Sequence, residues 1–382
     1  MPNTQILYDP STPEFQNELW NVYRTMRDEY PVYHDPGSGF YALTRFADVW
    51  AAAADHDTFS SRVAEANDLL PQLIYMDPPR QTALRKLVSR VFTARRVAGM
   101  EDDIRNYIRS LIDTIAANGT CEFQHDYAAV IPSVVVGGMI GLDEQHIGPV
   151  RAWTEAFIDT TDTNKALEAA VGIYTTFAEL LDERRHRPRD DMMTDLINAE
   201  IDGQRLSDEE LLGFCLLLVL GGNDTTASLI GSGTVLLLRH PEQRDLLLND
   251  ESHWPTAVEE MLRFESPTQT LPRTATRDVE LHGVHIPADS RVMLVWGAAN
   301  RDEREFSEPD RFDVTRRAQR HAAFGHGVHF CMGSGLARME ARLALTEWFA
   351  RFPECELAGD PERITSSWAR AYDSVPLRLG GR

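Results

Sequence analysis

Apolar positions recur every three or four residues over most of this chain, so the pattern predicts a mainly α protein, α+β in detail, with a few short strands. Leu19, Tyr23 and Met26 mark a first helix. Pro31 to Thr44 then reads as two strands around the turn Asp35-Pro36-Gly37, and strand character returns from Val279 to Val295 as a hairpin. Residues 100 to 200 have helical period, broken at Asn118-Gly119 and around Arg187-Pro188-Arg189. Residues 59 to 79 hold Phe59, Leu69, Leu70, Leu73, Ile74, Tyr75 and Met76 among turn formers and end in Asp77-Pro78-Pro79, and a loop that apolar must cover core or a ligand. The strongest helical signal lies further on. Ser207-Asp208-Glu209-Glu210 has the spacing of a capping box, and helical character continues to about Arg239, ahead of Pro241. Such a helix spans roughly 48 Å, and because its first half is apolar on every face it should run through the middle of the domain.

Two stretches break the amphipathic pattern where chemistry would. The centre of the long helix carries Gly221-Gly222-Asn223-Asp224-Thr225-Thr226. A glycine inside a helix costs about 1 kcal/mol relative to alanine, and an unpaired acid in an apolar core costs several. The pattern points to a groove or kink beside a reactive centre. A plainer explanation is a glycine contact between crossing helices, with Thr225 bonding back to a carbonyl. The second stretch, Phe324-Gly325-His326-Gly327-Val328-His329-Phe330-Cys331-Met332-Gly333-Ser334-Gly335, sets one cysteine in a glycine-rich loop directly before the helical run Leu336 to Leu345. Free N–H groups and the positive end of a helix dipole stabilise a thiolate there. A metal ligand, a nucleophile and a redox switch all fit that cysteine taken alone.

Composition narrows the choice. The 382 residues are 43% hydrophobic and 25% charged, enough for a large core. Lys plus Arg at 38 against Asp plus Glu at 59 gives a net charge of −21, which argues against nucleic acid or an anionic membrane as main partner. Cys121, Cys215, Cys331 and Cys355 are far apart with no C-x-x-C pair, so thiols in a reducing compartment fit better than a zinc cluster or disulfide framework. The start of the chain lacks a basic head and apolar run, and the apolar stretch Leu211 to Leu220 is shorter than the roughly 20 residues of a membrane span. A soluble, cytoplasmic protein is expected.

Weaker signals complete the list. Glu260 and Arg263 share a face of the short helix that opens at Pro255. Arg80, Arg85, Lys86, Arg90, Arg95 and Arg96 form a basic run in an acidic chain, either a solvated face or a docking patch for an acidic protein. Asp190-Asp191, Asp159 and Asp162 read as solvated.

Taken together these motifs resemble the cytochromes P-450, the haem-thiolate monooxygenases, over nearly the whole chain. Phe324 to Gly333 matches the family's cysteine-loop signature, Glu260-Met261-Leu262-Arg263 its E-x-x-R motif, and Gly221-Gly222-Asn223-Asp224-Thr225 its distal-helix motif. Pro309-Asp310-Arg311-Phe312 matches the segment that supplies the arginine of a Glu260–Arg263–Arg311 triad. The resemblance implies the P-450 fold, a helical bundle around a buried haem b with small sheets, as a single domain over residues 1–382 without a fused reductase. It implies Cys331 as iron ligand and contacts to the cofactor from Gln81, Arg85, Gly222, Thr225, Arg273, Phe324, Gly325, His329 and Gly333. Gln81 stands where the family usually has histidine, and Ala288-Asp289 where its hairpin turn usually has glycine second; aspartate tolerates the left-handed geometry.

The same resemblance implies chemistry. A cysteine thiolate donates electron density to the iron and favours O–O cleavage, while Asp224 and Thr225 deliver protons. Electrons come from NAD(P)H through a ferredoxin reductase and an acidic ferredoxin, which docks on Arg80, Lys86, Arg90, Arg95 and Arg96. The substrate it implies is a hydrophobic small molecule, hydroxylated in the family's manner, with epoxidation and O-dealkylation as the alternative outcomes, by an enzyme expected to be a monomer. A peroxygenase of the same fold, which tends to lose the acid–alcohol pair, and a non-catalytic haem sensor are the rival readings.

Overall fold

The first helix, Pro13–Glu29, starts on Thr12, whose hydroxyl accepts from the Phe15 N–H, and it buries Leu19, Tyr23 and Met26 as their spacing requires. The computed structural model describes residues 8–10, 12–62, 71–158, 163–201, 203–318 and 320–380. Leu69, Leu70, Asp159 and Asp162 therefore lie outside the described residues.

Strands from both ends of the chain meet in one five-stranded sheet, in the spatial order Val32–His34, Tyr41–Leu43, Arg291–Leu294, Leu271–Ala275, Phe59–Ser60. Arg291–Leu294 runs parallel to Tyr41–Leu43 and antiparallel to Leu271–Ala275, so it does not extend the hairpin expected from Val279. That hairpin is closed by Val279–Leu281 and Val284–Ile286 alone. The turn at Asp289 adopts φ 64, the left-handed geometry that its sequence was expected to tolerate.

The long central helix forms as two segments, Asp208–Gly222 and Asp224–Arg239, started by the reciprocal Ser207–Glu210 capping box. They meet at Asn223 (φ −77, ψ −67), so the glycine pair ends one segment and the acid opens the next. Among the described residues Asp208–Arg239 is the one helix long and apolar enough to cross a membrane, yet 61% of its apolar window is buried in the protein. It is the core helix. Around Ile230 of this helix the main hydrophobic cluster gathers Ile108, Ile131, Met261, Leu345 and Trp348 from the surrounding helices. A second cluster, with Phe46, Ala53, Val292 and Phe306, lies under the five-stranded sheet.

The region read as wholly helical between 100 and 200 also contains a strand, Thr120–Glu122, followed by the π-helical turn Gln124–Ala128. Asp191 is not solvated. It caps the helix Met192–Asn198 and sits buried 2.6 Å from the Nε of Arg184, a pairing with a residue seven positions earlier that no local pattern announces.

Candidate active site

Hydrogen bonding folds the cysteine loop back on itself: the Cys331 N–H donates to the Phe324 carbonyl at 2.9 Å. Gly325 and Gly327 take φ of 67 and 71, and a Cβ at Gly327 would stand 2.7 Å from the Ala53 carbonyl oxygen. Only glycine lets the loop press on the helix Phe46–Ala54. There the Trp50 ring stacks on His326 with centroids 3.7 Å apart, while Phe324 lies under the Arg338 guanidinium. The helix Ser334–Arg351 follows at once, with Gly333 at its cap and no side chain closing its end. Burial pushes the Cys331 thiol up, but the N–H groups of Gly333 and Ser334 and the charges of Arg85 and Arg338 pull it back. By contrast, burial alone holds Cys215 at about 12.

Behind the loop, Glu260 and Arg263 are fully buried and joined twice, at 2.7 and 2.8 Å. Their third partner is Arg316, whose Nε lies 3.1 Å from Glu260 Oε1. Arg311 was expected in that place, and the structure corrects it. Its side chain is exposed and pairs with Glu308 at 3.4 Å. Glu308 adopts a left-handed φ of 48, and the chain turns so that Arg311 points outward while Arg316 returns to Glu260. Arg316 also donates to the carbonyls of Ser307, Glu308 and Arg311, so it ties the turn together. The stretch offers several arginines, and spacing alone did not single out Arg316.

On the opposite face, the Thr225 hydroxyl donates to the Gly221 carbonyl at 2.7 Å, the back-bond of the plainer reading, and its oxygen remains free to accept. Gly222 is explained by packing, because a Cβ there would stand 2.9 Å from Val136 of the helix Val130–Ile140. A Cβ on Gly221 would meet open space, so Gly221 rather than Gly222 is the glycine with room beside it. Burial holds the Asp224 carboxyl far above the usual carboxylate range, the charge of Glu155 adds to the effect, and Thr154 opposes it. Thr154 and Glu155, on the helix Glu144–Ile158, were missed by sequence reasoning. They look there like any helical residues.

The residues expected around an anionic cofactor divide into two groups. His329 has a buried Nε2 without a hydrogen-bond partner, and burial pushes its ring down to about 4. Arg273, on Leu271–Ala275, is buried and lowered by burial to about 10, and its Nη1 donates to the Pro272 carbonyl. Gln81 is corrected. It is fully buried, its Nε2 donates to the Val328 carbonyl at 2.8 Å and its Oε1 accepts from Thr82, so both ends of a short neutral amide are spent inside the protein. Gln81 props the cysteine loop. Arg85 donates to the Phe330 carbonyl beside Cys331. An unpartnered buried imidazole, a buried guanidinium and a thiol facing helix N–H groups are the donor set that an iron-bearing, carboxylate-carrying macrocycle requires, and the residues fit haem.

The basic run is less free than its sequence suggests. Arg80 binds Glu210, its Nε 2.9 Å from Oε1, and Arg96 binds Asp195 at 2.8 Å. Lys86 and Arg95 are exposed. The Arg90 side chain lies outside the described residues.

Comparison with known proteins agrees with this geometry. The family model for cytochrome P450 matches residues 152–250 and 255–369. The chain is 39% identical over 395 residues to cytochrome P450 130 of Mycobacterium tuberculosis, with 97% of each chain covered. It is 37% identical over 349 residues to a steroid C26-monooxygenase of Mycolicibacterium smegmatis, covering 89% of this chain and 86% of that one. Its fold is similar to the structure of cytochrome P450 CYP109Q5 from Chondromyces apiculatus, with a TM-score of 0.91, 34% identity and 98% of both chains covered. The chain belongs to the cytochrome P450 family. It is a haem-binding monooxygenase of the bacterial type.

Proposed function

We propose that this monooxygenase hydroxylates a hydrophobic small molecule, with electrons passed from NAD(P)H through a ferredoxin reductase and a ferredoxin. The observation that carries the reading is the pairing of a loop cysteine at an open helix terminus with a buried acid and an alcohol at the break of the core helix. Haem, held by Cys331, His329, Arg273 and Arg85, supplies the redox chemistry of dioxygen activation. The N–H groups of Gly333 and Ser334 favour the thiolate. Asp224 holds a proton in a dry setting, and the Thr225 oxygen accepts a hydrogen bond from water or substrate-side groups.

The substrate pocket is assigned to residues 59–76, 150–180, 217–229, 268–271 and 371–373, which are mostly apolar with scattered hydroxyls. Steroids are the first class to test, because one relative is named for a steroid. For an acidic ferredoxin the exposed Lys86 and Arg95 offer the docking charge, with Arg90 in the same run. Arg80 and Arg96 are already paired and contribute less.

The test has two arms. Cys331→His should abolish the red-shifted absorption of the ferrous carbonyl complex, and persistence of that band would remove Cys331 as ligand. A titration of the wild-type protein with steroids, fatty acids and terpenoids should give a spin-state shift for one class. Absence of any shift would count against the hydrophobic pocket.

A further inference from the structure

The hairpin near the end of the chain has too short a ladder to hold its own register. Its strands are Glu362–Arg363 and Tyr372–Ser374, and the pairing shifts between Glu362 and Arg363. A short two-stranded ribbon is marginal by itself, and a slip by one residue turns its side chains to the other face. One carboxylate supplies what the ladder lacks. Glu265, buried at the end of the helix Trp254–Phe264, accepts from Arg370 Nε at 2.6 Å and from Arg363 Nη2 at 3.3 Å, so both limbs of the hairpin end on the same acid. Arg363 Nη2 also donates to the Tyr372 hydroxyl at 2.8 Å, and its guanidinium lies 4.0 Å from the centre of that ring. Against a burial that would raise it, the charges of Arg363, Arg370 and Arg301 hold the Glu265 carboxyl at about 2, so the acid is ionised at neutral pH.

The hairpin so held borders the core helix beside its break. The buried Ser228 hydroxyl donates to the Arg370 carbonyl at 2.5 Å. Ser228 follows Thr225 by three positions on Asp224–Arg239, and residues three apart share a helix face. The Arg370 carbonyl is therefore anchored about one helical turn from Thr225. The other side of the segment is fixed as well. The Arg370 N–H donates to the Pro267 carbonyl at 2.8 Å, and the Gln269 N–H donates to the Trp368 carbonyl at 2.7 Å, just ahead of the strand Leu271–Ala275 that carries Arg273.

We infer that Glu265 is a specificity-determining positioning residue: through Arg363 and Arg370 it sets the register of Tyr372–Ser374 and, together with Ser228, fixes the wall that residues 369–372 present to a substrate beside Thr225. Glu265 acts only through these partners. Two limbs bound to one buried carboxylate cannot slide past each other without breaking a charge-assisted hydrogen bond, so the wall is stiff and selects ligands by shape. The meeting of wall and substrate rests on the monooxygenase reading above; the register lock does not.

The experiment compares wild type, Glu265→Gln and Ser228→Ala as ferric holoproteins, using two probes that bind the iron directly, imidazole and 4-phenylimidazole. Imidazole is too small to reach the wall, whereas the phenyl ring meets it. Affinity for imidazole should stay within about twofold in both variants, while that for 4-phenylimidazole changes roughly tenfold. Amide hydrogen exchange in the peptide covering 369–374 should speed up several-fold in both. Glu265→Asp, which stays ionised, should recover part of the wild-type affinity ratio. A merely structural Glu265 would lower the urea midpoint and leave that ratio and the local exchange as in wild type, and this result overturns the inference. Ser228→Ala keeps every charge and a good helix former, so it decides the matter where Glu265→Gln fails to fold. A wild type that shows no spectral shift with either probe would refute the haem site instead, and the register lock would still stand or fall on the exchange of 369–374.

Discussion

Replacing Arg316 with alanine tests the buried ion cluster behind the cysteine loop. Glu260 is fully buried and receives four contacts: two from Arg263, one from the Asp313 N–H at 3.1 Å and one from Arg316 Nε at 3.1 Å. Stripping a buried charge of its partner costs about 3–5 kcal/mol. Here Arg263 still faces the carboxylate, which lowers the loss. Arg316 is only 15% exposed, however, and its removal also frees the carbonyls of Ser307, Glu308 and Arg311. A loss of about 2–3 kcal/mol is expected for Arg316→Ala, against about 0.5 kcal/mol or less for Arg311→Ala.

Urea unfolding of the two holoproteins at matched haem occupancy reads the difference directly. Because Arg316 holds the turn in front of the cysteine loop, its variant should also lose haem more readily on dilution. Equal stabilities, or a costlier Arg311→Ala, would refute the assignment of Arg316 as the third member. Arg316→Lys should recover only part of the loss, since an ammonium cannot reproduce the guanidinium's several carbonyl contacts.

Other outcomes follow from single residues. Thr225→Ala should leave haem binding intact but divert electrons to hydrogen peroxide, measured as peroxide formed per NAD(P)H; Thr225→Ser, which keeps an oxygen at the site, should restore coupling. Glu265 is held down at about 2 because the charges of Arg363, Arg370 and Arg301 outweigh its burial. Its folded value lies below its ordinary 4.5, so its stabilisation is full above pH 4.5 and lost as pH falls toward 2, about 3 kcal/mol in all. Urea midpoints measured from pH 5 to 3 should therefore drop more steeply in wild type than in Glu265→Gln. Glu340 behaves oppositely: burial pushes it up to about 8, and its Oε2 has no partner. The native state keeps a proton that the unfolded chain gives up, so stability declines as pH rises from 4.5 to 8, and Glu340→Gln should gain roughly 4–5 kcal/mol at pH 8. Equal pH profiles in wild type and variant would remove Glu340 as the source.

The features legible in the sequence were those written in contiguous residues. The capping box at Ser207, the apolar first half of the core helix, and the glycine-rich approach to Cys331 each occupy one short window, and local sterics and hydrogen bonding largely determine what such a window does. The same holds for Glu260 and Arg263, one helical turn apart. Arg291–Leu294 shows where that reach ends. Its strand character is local, but its partners Tyr41–Leu43 lie some 250 positions earlier, and nothing in its own residues chooses them over the adjacent hairpin.

Charge partners are the least legible layer, because an arginine and an acid can pair at any separation the fold brings together. Asp191 read as solvated on composition and is buried against Arg184; Arg80 read as a free docking charge and is tied to Glu210 from 130 positions away. Arg311 and Arg316 differ only in which side of a turn they leave. The distal acid is the sharpest case. Asp224 could be recognised from Gly221 to Thr225 as an acid in an apolar helix, and the rise of its carboxyl could not, since that comes first from burial and then from the charge of Glu155 on a distant helix of ordinary appearance. A window around Asp224 tells that an acid is present; how far its carboxyl rises is decided by what the fold packs over it, with Thr154 opposing the effect of burial. The state of this acid is therefore set by packing between helices, and substitutions on Glu144–Ile158 that open it to water should bring its carboxyl back toward the usual range without touching the motif around it.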